Sequence, residues 1–268
     1  MFMQKQGMRA VRVLAILAGL GVCSAASAQI ASFDYNVTSF FNVPSVVWEN
    51  PVGGDGNSNA DAGGELLEWG AGGSGQSALT ISGNPAVGNI ITNGAPAPTQ
   101  LFTHFNNPIT GATLDQVTVT TTLTLSWVGP PPTSPVGPVS ADFLVNFQET
   151  TNFPASGVCV IGVPPCPDIF VLSGNLNAFS FEPGDGFEYF VSIIETTGNL
   201  NPLAPAVCAA AGAPAGCLGF VTAENDDTPA QFAFLVTTAP IGVPEPASLA
   251  LLGVALLGLA AIRRRRLA

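Results

Sequence analysis

Three groups of residues in this chain are of types that could do chemistry: the four cysteines that lie beyond Cys23, one histidine and a short acidic loop. Cys159 and Cys166 bracket a loop containing Pro164 and Pro165, while Cys208 and Cys217 bracket a stretch of Ala, Gly and Pro. An even set of cysteines in an exported chain points to disulfides. Of the three connectivities open to four cysteines, the local staples Cys159–Cys166 and Cys208–Cys217 are the simplest. Their spacings are not the short pairs that zinc sites favour.

Asp55, Asn57, Asn59 and Asp61 place oxygen-bearing side chains at alternate positions, as at the start of a calcium loop. Calcium is the one cofactor the sequence suggests. The loop departs from the helix-loop-helix pattern, with Ala60 where the turn glycine would sit and Leu66 at the twelfth position. Asp226 and Asp227, beside Asn225, form a second and lesser candidate.

His104 lies in F-T-H-F-N-N-P-I. On a strand, Phe102, His104 and Asn106 share one face, and Thr103 and Phe105 take the other. A serine hydrolase triad would have to use this histidine, but no G-x-S-x-G elbow is present. A glycosidase needs only two carboxylates, and the acids offer no positional clue. The expectation is therefore no catalytic residue, with His104 hydrogen-bonded at a sheet edge.

The elements that must carry these residues read as strands. Asp115 to Val128 alternates strictly, with Val117, Val119, Leu123, Leu125 and Trp127 on one face and Thr118, Thr120, Thr122, Thr124 and Ser126 on the other. That is a half-buried strand with one wet face. Further strands are expected at Phe33–Phe41, Val46–Asn50, Leu66–Trp69, Ala78–Ile81, Phe143–Glu149, Ile169–Leu172, Ala178–Phe181, Glu188–Glu195 and Gln231–Thr237, with Phe220-Val221 weaker. Asn84 to Thr99, rich in Pro, Gly and Asn, reads as a surface loop, as does Gly129 to Pro138. The fold class is all-β, an antiparallel β-sandwich of jelly-roll-like kind, with helices expected only at the two ends.

Charge is distributed unusually. Lys5, Arg9, Arg12 and Arg263 to Arg266 are all the basic residues of the chain, so none lies between Gln29 and Val243. Eighteen acids less Glu245 leave seventeen in that body. Without cations it has nothing to offer nucleic-acid phosphates or an anionic membrane surface. Neutral glycans, divalent cations or cationic proteins fit it better.

The two ends carry addresses. Lys5, Arg9 and Arg12, an apolar run from Val13 to Val22 and Ala26-Ser27-Ala28 read as a signal peptide over 1–28. Signal peptidase would cut between Ala28 and Gln29. At the other end Pro244, Glu245 and Pro246 lead into an uncharged run, 247–262, and then Arg263, Arg264, Arg265 and Arg266. The run would form a helix of roughly 24 Å, a single inner-membrane span with its arginines in the cytoplasm. Between the ends, 29–242 is one acidic extracellular domain.

This tail, 243–268, resembles the PEP-CTERM sorting signal of biofilm-forming Gram-negative bacteria. The resemblance implies recognition of Pro244, Glu245, Pro246 and the arginines by exosortase, a membrane-embedded cysteine protease, after transient membrane insertion. Delivery to the cell surface or exopolysaccharide matrix would follow. Phe102 to Ile109, with Trp69-Gly70 and Gly75-Gln76-Ser77-Ala78-Leu79, resembles the THxN family of PEP-CTERM proteins, whose name motif falls on Thr103, His104, Phe105 and Asn106. That family implies surface export and no particular chemistry. The leading expectation is a non-enzymatic surface or biofilm-matrix protein. A calcium-assisted glycan-binding module is the alternative, and a matrix hydrolase comes third.

Overall fold

A computed structural model describes residues 29–49, 58–127, 129, 135–174, 176 and 179–241. The expected signal peptide 1–28, the span 247–262 and the arginine cluster 263–266 lie outside the described residues. Among the described residues no helix is long and apolar enough to cross a membrane.

The described chain is built from strands: β1 (Ser32–Phe41), β2 (Val47–Glu49), β3 (Asn59–Ala60), β4 (Leu66–Trp69), β5 (Ser77–Ser82), β6 (Ala86–Ile91), β7 (Ala97–Asn106), β8 (Thr113–Ser126), β9 (Val136–Gln148), β10 (Asp168–Ser173), β11 (Phe179–Phe181), β12 (Tyr189–Glu195), β13 (Asn201–Pro202), β14 (Leu218–Thr222) and β15 (Asp226–Thr237). One short helix, α1 (Pro205–Ala210), separates β13 from β14. One sheet runs β13-β14-β10-β9-β8-β1-β6, with β2 also paired to β8; the other runs β11-β12-β15-β7-β5-β4-β3. All named pairings are antiparallel.

The core lies between the sheets. Val117, Val119, Phe143, Val145, Phe147, Phe170 and Phe220 from the first sheet pack with Leu67, Trp69, Leu79, Phe102 and Phe232 from the second. Each fully buried side chain of this size contributes about 1.5–3 kcal/mol through removal of apolar area from water. Edge-to-face pairs such as Phe102–Phe232, with centroids 5.2 Å apart, add directional preference. The apolar face read on β8 is this core face, since Val117, Val119, Leu123 and Leu125 are all buried. On the other face, Thr120 Oγ1 donates to Asp142 and Thr122 pairs with Ser140.

Two expectations fail in this frame. Asn84 to Thr99 is not a wandering loop, because β6 and the start of β7 lie within it. β6 is an edge strand with one partner, β1, and its Val87 and Ile91 stay exposed. A Cβ at Gly88 would sit 2.9 Å from the Tyr35 hydroxyl, so glycine there admits the crossing ring. The other failure concerns the start of β9, which lies within the proline-rich stretch that ends at Pro138. Both disulfides form as the local staples, Cys159–Cys166 and Cys208–Cys217. The second closes a small satellite core of Val207, Cys208, Ala211, Ile169 and Val171.

Candidate functional site

The polar residues that matter most converge at one end of the two sheets. Asn106 ends β7, Glu149 follows β9, Asp168 opens β10, Thr222 ends β14, and Glu224 sits in the turn into β15. Antiparallel register brings them together. Asp168 is opposite Thr222, Ile169 is opposite Gln148, and Asn106 is opposite Asp226. The Asn106 side-chain amide donates to Thr222 O at 2.9 Å, and the Asn106 backbone carbonyl accepts from Asn225 N at 2.9 Å. The β7 end is thereby tied to the β14–β15 turn.

Carboxylate oxygens of Glu149, Asp168 and Glu224 all lie within 4.8 Å of one another. Asp168 is fully buried. Trp69 Nε1 donates to Glu149 Oε2 at 3.0 Å, and Thr150 N donates to Asp168 Oδ1 at 2.8 Å. Among the described residues, Asp168 Oδ2, both Glu224 oxygens, Asn106 Oδ1, Asn152 Oδ1 and Thr222 Oγ1 are buried and without a hydrogen-bond partner.

Burial raises the pKa of all three acids. For Asp168 the neighbouring Glu149 charge pushes further in the same direction, and the Thr150 amide opposes it. For Glu149 the Trp69 indole favours the charged form. The amides of Asn106 and Asn152 flank Glu224 and also favour its charge. With no lysine or arginine between Gln29 and Val243, no such side chain is available to neutralise this cluster.

Below the acids lies an aromatic box. His104 is fully buried, stacks on Trp69 at an interplanar angle of 7°, and meets Phe147 edge-on at 4.8 Å. It belongs to β7, flanked by β5 and β15, so it is not the sheet-edge residue expected, and neither ring nitrogen has a hydrogen-bond partner. Burial lowers its pKa to about 3, which keeps the imidazole neutral. It therefore contributes no positive charge to the acids above it.

The remaining expected residues are scattered. Thr103 is buried and Phe105 half exposed, on the face of β7 opposite His104 and Asn106. Asp55 and Asn57 lie outside the described residues, and Asn59 is exposed on β3. Asp61 caps its own turn: Oδ1 accepts from the amides of Glu65 and Leu66, and Oδ2 from that of Gly63. Asp226 and Asp227 are exposed. Pro244, Glu245, Pro246 and Ala28 are outside the described residues, which begin at Gln29.

Sequence reasoning missed the acid cluster. Glu149, Asp168 and Glu224 are far apart in the sequence and share no motif. The available signal was local: Asp168 directly precedes the apolar run Ile169-Phe170-Val171-Leu172, so it stands at the mouth of a buried strand. A second concave feature is an apolar cavity of about 60 Å³ between the sheets, lined by Phe102, Phe143, Phe170 and Ile193 among others. With so apolar a lining it suits hydrocarbon rather than water.

Comparison with known proteins bears on the tail rather than on this site. Residues 242–266 match the PEP-CTERM protein-sorting motif. The motif marks an exported protein sorted by exosortase to the cell envelope. A comparison with curated proteins gives no match.

Proposed function

We propose that this is a non-catalytic protein of the bacterial surface or exopolysaccharide matrix, with a structural or interaction role. The observation that carries the reading is the PEP-CTERM match at residues 242–266. Signal peptidase releases the N-terminus, the tail holds the chain briefly in the inner membrane, and exosortase removes the tail. A jelly-roll-like sandwich is the exported part. Strands that pass repeatedly between the sheets, as β5 to β6 to β7 to β8 do, support that topology.

Three features fit life outside the cell. Two disulfides suit an oxidising compartment. A body free of lysine and arginine is strongly acidic, which keeps it soluble beside neutral glycans. The threonine-rich outer face of β8, with Ser140 and Asp142 of β9 opposite, offers polar groups for contact with matrix polymers.

The test is replacement of Pro244-Glu245-Pro246 by three alanines in the native host. The variant is expected to accumulate in the membrane fraction while the wild type reaches the surface or medium. Equal delivery of both would overturn the sorting role of the tail.

A further inference from the structure

We propose that Glu149, Asp168 and Glu224, with the side-chain carbonyls of Asn106 and Asn152, form a binding site for a hard divalent cation, calcium by the nature and number of its ligands. The first argument is geometric. Oxygens on one calcium ion lie at most about 5 Å apart, twice a bond of roughly 2.3–2.6 Å. The three carboxylates, within 4.8 Å of each other, already fit inside that shell. Every atom offered is oxygen, which suits calcium and disfavours zinc or copper.

The second argument is independent of the acids. Asn106 is 1% exposed, its Oδ1 has no partner, and its amide lies against Glu224. Asn152 flanks the same carboxylate with Oδ1 likewise unpartnered. An orphaned buried carbonyl is costly, and a cation among the acids would satisfy both asparagines together with Asp168 Oδ2 and Glu224. Local structure holds these donors in place. Asn152 O accepts from Cys166 N at 3.0 Å, and Thr150 Oγ1 donates to Cys166 O at 3.0 Å, so both are tied to the cysteine that closes the Cys159–Cys166 loop.

The third argument is charge. Asp168 is fully buried beside the half-buried Glu149 and Glu224, and the body has no lysine or arginine to balance the three, so a metal ion would supply the missing positive charge. A cation here would draw together the ends of β7, β9, β10 and β14 and so clamp the two sheets at this edge. The site differs from the Asp55–Asp61 loop, where Asp61 already bonds its own turn.

The experiment uses the full chain, purified after export and stripped with a chelator, then returned to calcium, to magnesium or to chelator alone. Calcium at about 100-fold over its Kd is expected to raise Tm by roughly 5–10 °C. Terbium should show luminescence sensitised by Trp69, whose indole touches Glu149, and calcium should quench it by displacement. Glu224→Gln should abolish both responses without lowering Tm in chelator, because it relieves repulsion among the acids. Asp61→Asn should lower Tm equally with and without calcium. Identical Tm in calcium and chelator, with no sensitised terbium signal, would overturn the site. So would a calcium response that survives Glu224→Gln, which would place the ion elsewhere.

Discussion

A neutral buried histidine near the acids Glu149, Asp168 and Glu224 makes a sharp prediction for single residues. His104 has a pKa near 3 in the folded chain because burial penalises its cation. The unfolded chain protonates near 6.5, so between about pH 6.5 and pH 3 the unfolded state holds the extra proton. The stability associated with the neutral ring is fully present above pH 6.5 and is lost as pH falls, by about 1.4 kcal/mol per unit. The carboxyls, with raised pKa values, act in the opposite sense and lose stability as pH rises. A comparison with His104→Phe isolates the histidine, because the acids remain. Denaturant midpoints from pH 7 to pH 4 should show the wild type losing ground to the variant. A constant difference would mean that His104 is already charged or hydrogen-bonded in the fold.

The elements explain what the sequence made legible and what it hid. β8 was legible because its core-facing Val and Leu alternate with Thr over many residues, a pattern only a half-buried strand produces. His104 and Asn106 were correctly placed on one face of β7 by the same logic. β6 was hidden because an edge strand with exposed Val87, Gly88 and Asn89 lacks a buried face to read. Helix α1 was hidden by its length, six residues stapled by Cys208 rather than driven by an amphipathic stripe. The acid cluster was hidden because pairing of β10 with β14, remote in sequence, assembles it. Asn152 and Thr150 are hydrogen-bonded to Cys166, which the Cys159–Cys166 staple holds. Replacing both cysteines by serine should lower stability by about 2–3 kcal/mol in chelator, as expected for a short closed loop. Calorimetry of the variant checks this; an unchanged Tm would mean that the loop is ordered without the staple.

At the scale of the whole molecule, charge and export form one account. Every basic residue stands in the two end segments, and the body between them carries only acids and a neutral histidine. The basic residues flank the apolar runs 13–22 and 247–262, and the described body between the ends is acidic, disulfide-bonded and β-rich. An acidic surface suits the proposed matrix role, and the oxygen donors at the strand ends suit the proposed calcium site. The most direct measurement is the intact mass of the protein recovered from its host's extracellular fraction. The account predicts a chain beginning near Gln29 and ending near Pro244, four hydrogens lighter than the reduced sequence for its two disulfides. A mass that still contains Arg263 to Arg266 would contradict it.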